Sequence, residues 1–355
     1  MTADLEVFSE SYAEAREKFL DAAGDRVAHY AHPEKGLFMD VAVLGDPAAR
    51  DIFAVGCGTH GIEGYSGSAA LTNWLRSGAA TRVAPGTAVV LFHAHNPWGF
   101  AHRTRVTEEN VDLNRNFIDF ARPLPSNPGY AELHPIITPQ RWDEATLAGV
   151  FERLAAYRAR VGEQAFSDAF NGGQYSHPDG IYYGGARPQW SNGAFRAAAK
   201  EHLGTARRVA FIDLHTGIGP RYEHVYLSFA APGSPSYERA RACWGERAVN
   251  RAGVTHKALA VYSGLLIDAL VEAVPQAEAT TLVIEFGTLP REGVQRASLL
   301  QRWLRFEGPN HPERVPALQR DYDEAFYPSE PRWRQAVLEQ SLDFLDRGAR
   351  GLSAL

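Results

Sequence analysis

Two histidines and two glutamates, far apart in the chain, could together form a hydrolytic metal site. His60 and Glu63 occur as His-x-x-Glu after a glycine-rich turn, and His215 ends an apolar run much later. Two imidazoles and one carboxylate leave one coordination position open, as a catalytic zinc ion requires. Glu285 ends another apolar run, where a carboxylate could take a proton from a water that the metal has made acidic. The sequence therefore predicts one Zn2+ ion at His60, Glu63 and His215, with Glu285 as the base.

Each of these groups also has a purely structural interpretation. His60 and Glu63 could be a surface histidine and a helix-capping carboxylate, and His215 could be a satisfied core histidine. Glu285 could be a strand-end carboxylate paired with an arginine. The occurrence of all four residue types in one chain favours the metal site.

Cationic and amide side chains between these segments could bind a substrate. Asn114 and Arg115 are adjacent, and a guanidinium binds a carboxylate bidentately while an amide adds a hydrogen bond. Arg103 and Arg105 offer a further cation that could stabilise an oxyanion. The alternative is that these arginines form structural salt bridges with the glutamates that follow them.

Three other residues near the motifs receive supporting or structural assignments. Asp213 lies two residues before His215, on the same face of a predicted strand, and could orient a ligand from behind. His93-x-His95 is a competing ligand pair, but no eightfold βα repeat follows it, so we expect core and loop residues. Cys57 lies in an apolar run and is expected to be a small buried side chain.

The apolar periodicity predicts alternating strands and helices. Strands are expected at 38–44, 52–56, 87–93, 209–215 and 280–285, and helices at 5–23, 63–76, 143–162, 192–203, 235–252, 264–273 and 331–347. This alternation favours an α/β sandwich around a mixed or mostly parallel sheet. Residues 1–355 are predicted to form a single domain, with long active-site loops near 119–142 and 171–192, where proline and glycine concentrate.

Composition narrows the class of protein. The 355 residues include 45% hydrophobic and 22% charged residues, as in ordinary globular proteins, and the formal net charge is −6. This charge argues against nucleic acid as a partner. The two cysteines cannot form a disulfide framework, and no signal peptide or apolar segment of membrane-spanning length is visible. We therefore expect a cytoplasmic protein with no membrane partner.

Five segments occur in the order found in a known superfamily and span residues 56–288. They are Gly58–Gly64, Asn96–Phe100, Arg105–Phe117, Asp213–His215 and Glu285–Thr288. In this order they resemble the zinc carboxypeptidase (M14) superfamily, and they look closest to its DUF2817 branch of uncharacterised bacterial metallopeptidases. The resemblance implies a three-layer α/β/α sandwich with a mixed, mostly parallel central sheet. It also implies that His60, Glu63 and His215 hold zinc and that Glu285 is the base and proton shuttle.

The resemblance also implies roles for the cationic segment. Arg105, in preference to Arg103, would polarise the scissile carbonyl. Asn114 and Arg115 would bind a substrate carboxylate, and Asp112 would support the ligand His60 from the second coordination layer of the metal.

One departure from the superfamily bears on the substrate. Secreted carboxypeptidases carry a mobile tyrosine shortly after a Ser-Gly-x-x-Ile-Asp stretch, and it closes over the terminal carboxylate of the peptide. This chain has that stretch at Ser263–Asp268, but Val271 stands in the register of the tyrosine. The role is therefore either absent or filled by Tyr182 or Tyr183.

Three functions follow from this pattern. The first is a metallo-carboxypeptidase that acts on small peptides with a free carboxylate. The second is a deacylase of N-acyl amino acids, because the aspartoacylase and succinylglutamate desuccinylase branch uses the same scaffold and also contains Asp-Leu-Asn-Arg. The third is a non-catalytic zinc-binding protein that keeps the fold.

Overall fold

A seven-stranded mixed sheet forms the centre of the molecule. The computed structural model describes residues 4–46, 48–83, 86–249 and 260–354. In chain order the strands are β1 (Val27–Ala31), β2 (Phe38–Gly45), β3 (Asp51–Cys57), β4 (Thr87–His93), β5 (Arg208–Gly217), β6 (His224–Leu227) and β7 (Glu278–Gly287). Their spatial order is β1-β2-β4-β3-β5-β7-β6. The four adjacent strands β4, β3, β5 and β7 are parallel, and the pairs β1–β2, β2–β4 and β6–β7 are antiparallel.

Helices cover both faces of this sheet. The α-helices of the described residues are α1 (Tyr12–Ala23), α2 (Gly64–Arg76), α3 (Pro97–Ala101), α4 (Pro128–Ile137), α5 (Glu144–Val161), α6 (Glu163–Asn171), α7 (Trp190–Leu203), α8 (Pro235–Trp244), α9 (Leu266–Ala273), α10 (Arg291–Phe306), α11 (Val315–Phe326) and α12 (Pro331–Ala354). Over these described ranges, no helix is both long enough and apolar enough to cross a lipid bilayer.

Alternating side chains of the central strands enter two separate hydrophobic cores. On β3, Phe53 and Val55 pack in one core, which α1, α2 and α12 cover, whereas Ile52 and Ala54 pack in the other, which α7 and α9 cover. A strand that is buried on both faces must be apolar at nearly every position, which explains the continuous apolar runs in the sequence. The predicted three-layer α/β/α sandwich with a mixed sheet is confirmed.

The largest correction concerns the predicted 119–142 loop, which contains helix α4. The side chain of Asn127 accepts a hydrogen bond from the amide of Tyr130 and caps this helix, and Pro128 occupies its first turn. Tyr130, Leu133 and Ile137 are buried at helical spacing. Pro128, one of the prolines that suggested a loop, therefore marks the start of a helix. The 171–192 segment is mostly irregular, with one bridge between Gln174 and Tyr183, and it leads into α7.

Other differences lie at the edges and ends of elements. The edge strands β1 and β6 were not predicted, and the helix expected at 5–23 begins only at Tyr12, after a 3-10 turn at Leu5–Val7. The helix expected at 235–252 ends at Trp244, before Gly245 with a φ of 84°, and the end of that range lies outside the described residues. The tail after residue 290 forms three helices where only the last was predicted.

A partly exposed group of ion pairs joins the start of β3 to the start of β5. Asp51 accepts hydrogen bonds from Arg208 (2.6 Å) and Arg207 (2.8 Å). The hydrogen bond from Arg208 and the charges of both arginines lower the pKa of Asp51 to about 2. A folded-state pKa below the unfolded value stabilises the protein above the unfolded pKa, and this stability is lost as the pH falls through the folded value.

Asp51→Asn is therefore expected to lower the free energy of unfolding by about 1 kcal/mol at neutral pH, after allowance for solvent screening. At pH 3 the difference from wild type should shrink to about half. Urea unfolding at pH 7 and pH 3 measures this, with the exposed Asp25→Asn as the control for loss of one charge. A difference that does not change with pH would contradict the assignment.

Candidate metal centre and cavity

The candidate site lies at the carboxyl ends of the parallel strands. His215 on β5 lies directly opposite Glu285 on β7 in the strand register, and β3 ends one strand away at Cys57. Ligands of α/β sheets bind at this edge, because the loops that follow the strands converge there. The sheet thus brings together residues from distant parts of the sequence.

A tight turn after β3 carries the first two candidate ligands. Gly58 adopts a φ of 72°, which favours glycine, and Glu63 precedes the first residue of α2 without capping it through its side chain. Gly61 lies against the backbone of α3, so closely that a β-carbon would fall 1.9 Å from the carbonyl carbon of Gly99. The turn therefore presents His60 and Glu63 to the sheet edge only because glycines allow its path.

Three buried ligand atoms converge at this turn. The Nδ1 atom of His60 lies 2.9 Å from Oε1 of Glu63, and the Nδ1 atom of His215 lies 3.0 Å from Oε2. The two Nδ1 atoms are 3.1 Å apart. The backbone amide of Thr216 donates to Glu63 (3.1 Å) and fixes the carboxylate. These three side chains form the one group in the described ranges with the spacing of a metal site.

The remaining ring nitrogens face carboxylates. The Nε2 atom of His215 lies 2.8 Å from Asp213 Oδ2, and that of His60 lies 3.3 Å from Asp112 Oδ1. Neutral histidine ligands of metals ordinarily donate this N–H to a carboxylate, which leaves the other nitrogen as a lone pair. Both lone pairs then face each other and Glu63, an arrangement that favours a bound cation. The donor set of two imidazoles and one carboxylate fits a catalytic zinc ion.

Thr59, which was not among the predicted site residues, supports Asp213. The hydroxyl of Thr59 lies 2.9 Å from both carboxylate oxygens of Asp213, and both residues are fully buried. Thr59 stands beside His60 in the motif, so its proximity to the site was visible, but its contact with β5 depends on the fold.

A cavity of about 410 Å³ opens beside the candidate ligands. Glu285 lines it and accepts a hydrogen bond from the amide of Ile218 (3.2 Å). Burial, together with the negative charge of Glu63, raises the pKa of Glu285 to about 7. A carboxyl group with this pKa can both accept and release a proton near neutral pH.

The two candidate oxyanion arginines lie in different places. Arg105 lines the cavity, with Nε 2.9 Å from Asp112 and Nη1 3.3 Å from Glu63. Its Nη2 group has no hydrogen-bond acceptor among the described residues. Arg103 instead pairs with Asp323 (2.8 Å) and does not line the cavity. Arg105, and not Arg103, therefore lies at the cavity, and its role in polarising a carbonyl stays a prediction.

Asn114 and Arg115 have separate surroundings. Arg115 lines the cavity, although it is only 5% exposed. The Oδ1 atom of Asn114 accepts the amide hydrogen of Leu266 (2.9 Å), and the residue is not in the cavity wall. Its side-chain oxygen therefore holds the start of α9 in place, and the binding of substrate by Asn114 stays a prediction.

The two predicted tyrosines also lie in different places relative to the cavity. Tyr182 lines the cavity, beneath Arg105, and its hydroxyl lies 3.0 Å from Ser298. Tyr183 is outside the wall, and its carbonyl accepts the amide hydrogen of Asp112 (2.7 Å). The binding of substrate by Tyr183 stays a prediction. Tyr262, which was not predicted, lines the cavity and packs on Arg115, with 4.6 Å from ring centroid to guanidinium carbon.

The competing histidines are structural. His93 stacks on Phe19, and its Nε2 lies 2.8 Å from Ser68. His95 is completely buried, and burial lowers its pKa to about 4, which keeps the ring neutral. Neither lines the cavity, and Cys57 is completely buried as expected.

Comparisons with known proteins place the chain in a family. Solved structures with a similar chain fold include carboxypeptidase A from Helicoverpa armigera. It is 13% identical, the alignment covers 91% of this chain and 75% of that chain, and the TM-score is 0.44. The murein-tripeptide amidase from Escherichia coli O157 is 14% identical, with 87% and 97% covered and a TM-score of 0.39. The succinylglutamate desuccinylase from Chromobacterium violaceum is 15% identical, with 84% and 74% covered and a TM-score of 0.38. These values are too low to carry a conclusion about activity.

No protein of curated function matches the chain significantly. The family model DUF2817, described as a protein of unknown function, matches residues 8–340. Since this match spans nearly the whole chain, the protein belongs to the DUF2817 family.

Proposed function

We propose that this protein is a zinc-dependent hydrolase of amide bonds, and specifically a metallo-carboxypeptidase for small peptides with a free carboxylate. The observation that carries the proposal is the convergence of His60, Glu63 and His215 beside a cavity whose wall includes His60, Glu63 and Glu285. Resemblance of five ordered segments to the zinc carboxypeptidase superfamily supports it.

The cavity residues have complementary parts in such a reaction. When bound, zinc supplies Lewis-acid polarisation of the carbonyl and lowers the pKa of a water to roughly 7. Glu285 would accept the proton of the attacking water on its carboxylate and return it to the leaving amine. Arg105, held by Asp112 and Glu63, would place its Nη2 donors against the oxyanion that develops on the substrate.

Arg115 defines the end of the cavity that would receive a carboxylate. It forms no ion pair with an acid in the described parts of the chain, and its Nε atom is buried without a hydrogen-bond acceptor. A buried guanidinium in this state is favourable when an anion from outside pairs with it. This supports a substrate with a free carboxylate.

Thr59→Val is expected to weaken zinc binding about tenfold, because Asp213 loses its buried hydroxyl partner and holds the His215 ring less firmly. Thr59→Ser keeps the hydroxyl and should restore most of the affinity. Competition with a fluorescent chelator measures both constants. Equal affinities for the valine variant and the wild type would exclude a supporting role for Thr59.

The proposed function is tested by metal analysis followed by turnover. The purified protein should contain one zinc ion per chain and should hydrolyse members of a mixed library of short peptides and N-acyl amino acids. Turnover of peptides supports the carboxypeptidase, whereas turnover of acetyl- or succinyl-amino acids alone would assign the deacylase. Stoichiometric zinc without any turnover would exclude the proposed hydrolase activity and favour a non-catalytic zinc-binding protein.

A further inference from the structure

His95 is a buried histidine in an apolar environment. Its side chain packs near the rings of Phe92, Phe195 and Phe211, and neither ring nitrogen has a hydrogen-bond partner among the described residues. Burial lowers the pKa of His95 to about 4, so the ring is neutral and carries one hydrogen. A polar ring in such surroundings is unfavourable unless another interaction compensates for it.

The ring of His95 lies against β3 at Gly56 and reaches towards Asp213 on the next strand. The backbone amide of His95 donates to the carbonyl of Cys57 (2.9 Å), so the residue starts on the β4 side of β3. Gly56 pairs in register with Asp213 on β5, which lies on the other side of β3. A β-carbon on Gly56 would lie only 2.0 Å from Nε2 of His95. The glycine therefore leaves the space through which the ring approaches Asp213.

The carboxylate of Asp213 can accept a further donor at Oδ1. Its Oδ2 atom lies 2.8 Å from Nε2 of His215. The hydroxyl oxygen of Thr59 is 2.9 Å from both carboxylate oxygens but has only one hydrogen to share between them. The Nε2 atom of His95 lies 3.9 Å from Oδ1. A donor that faces a buried carboxylate stabilises its charge, because the effective dielectric constant of the interior is low.

We infer that His95 is a positioning residue, which carries its hydrogen on Nε2, directs it at Oδ1 of Asp213 and thereby keeps this carboxylate aligned behind His215. The inference rests on the proposed function, since the aligned His215 would hold the zinc ion. It also explains why the central strand β3 contains a glycine at position 56 and why an imidazole lies beside an apolar core.

Two substitutions of nearly the same shape test this role through zinc affinity. His95→Gln places an amide donor near the position of Nε2, whereas His95→Met has no donor. Competition of the full chain with a fluorescent chelator should show zinc binding within about threefold of wild type for His95→Gln and about tenfold weaker for His95→Met. A purely structural histidine would give the opposite order, because methionine suits the apolar surroundings better. Equal affinities of the two variants, or tighter zinc binding by His95→Met, would overturn the inference.

Gly56→Ala tests the same contact from the side of β3. Its β-carbon should displace the ring from Asp213 and weaken zinc binding about tenfold in the wild-type background. The loss should be much smaller in the His95→Met background, because both substitutions then remove one interaction, and additive losses would contradict the inference. His93→Gln and His93→Met are the matched controls, since His93 is equally buried but faces Ser68, and both should bind zinc as the wild type does.

Turnover separates this inference from the proposed function. Zinc binding without hydrolysis of any amide would exclude the hydrolase, and the order of the two His95 variants would still decide the role of His95. Normal hydrolysis by the wild type, together with equal zinc affinities of the two variants, would exclude the role of His95 alone. A wild type that binds no zinc would overturn both.

Discussion

Glu285→Gln is expected to lower kcat by about a thousandfold while the protein keeps one zinc ion per chain. Glutamine has nearly the same shape as glutamate and can still occupy the position opposite His215 on the neighbouring strand. It cannot accept a proton from water at neutral pH. The variant therefore removes the base without removing a ligand, since Glu285 is outside the group of three convergent ligand atoms.

The control for this variant lies on the same strand. Glu278→Gln makes the same chemical change at the opposite end of β7, where the side chain is 61% exposed and distant from the cavity wall. It should leave kcat and zinc content unchanged. Inductively coupled plasma analysis and turnover of the best library substrate measure both quantities. A near-normal kcat of the Glu285→Gln protein would exclude Glu285 as the general base. Loss of zinc from this variant would identify Glu285 as a metal ligand.

The candidate site could be predicted because its residues lie close to the ends of apolar strands. His215 and Glu285 each end a run that is buried on both faces, and in a parallel sheet such ends meet at one edge. His60 and Glu63 follow the strand that lies beside β5. Local sequence and one rule of sheet topology were therefore sufficient to bring these four groups together.

Other parts of the cavity depend on long-range packing that carries no local signal. Tyr262 lies in an irregular segment before α9, and nothing in its neighbourhood indicates that it covers Arg115. Phe326 reaches the cavity from the end of α11, in a region where no helix was predicted. The short edge strand β1 escaped prediction for a different reason. β1 is nowhere fully buried, so its sequence lacks the apolar run of a central strand.

The path of the turn that carries His60 and Glu63 explains why the motif contains a glycine between these candidate ligands. The amide of Gly61 donates to the carbonyl of Arg105 (3.2 Å), and the amide of Ile62 donates to that of Thr104 (3.0 Å). The turn therefore docks directly on the segment that carries the candidate oxyanion arginine. There is no room for a side chain in this contact, because a β-carbon on Gly61 would lie 1.9 Å and 2.2 Å from backbone atoms of Gly99 and Phe100.

Gly61→Ala is accordingly expected to lower the free energy of unfolding by about 3 kcal/mol, the upper end of the usual cost of overpacking. Backbone atoms cannot rotate away as a flexible side chain can, so the turn must separate from the segment at Arg105. This displacement should also move His60 and Glu63 away from His215 and weaken zinc binding at least about a hundredfold. Urea unfolding in the presence of a chelator measures stability alone, and zinc competition at low denaturant measures the site.

Gly149→Ala provides the matched control for this substitution. Gly149 lies inside α5, and a β-carbon there would meet no atom within 4 Å. Alanine should raise stability by about 0.5–1 kcal/mol, because it restricts the unfolded chain and suits a helix. If the two glycine substitutions change the free energy of unfolding in opposite directions, the close contact at Gly61 controls the site, and not the general loss of a glycine. A Gly61→Ala protein with wild-type stability and zinc affinity would mean that the turn can bind metal without its contact to α3.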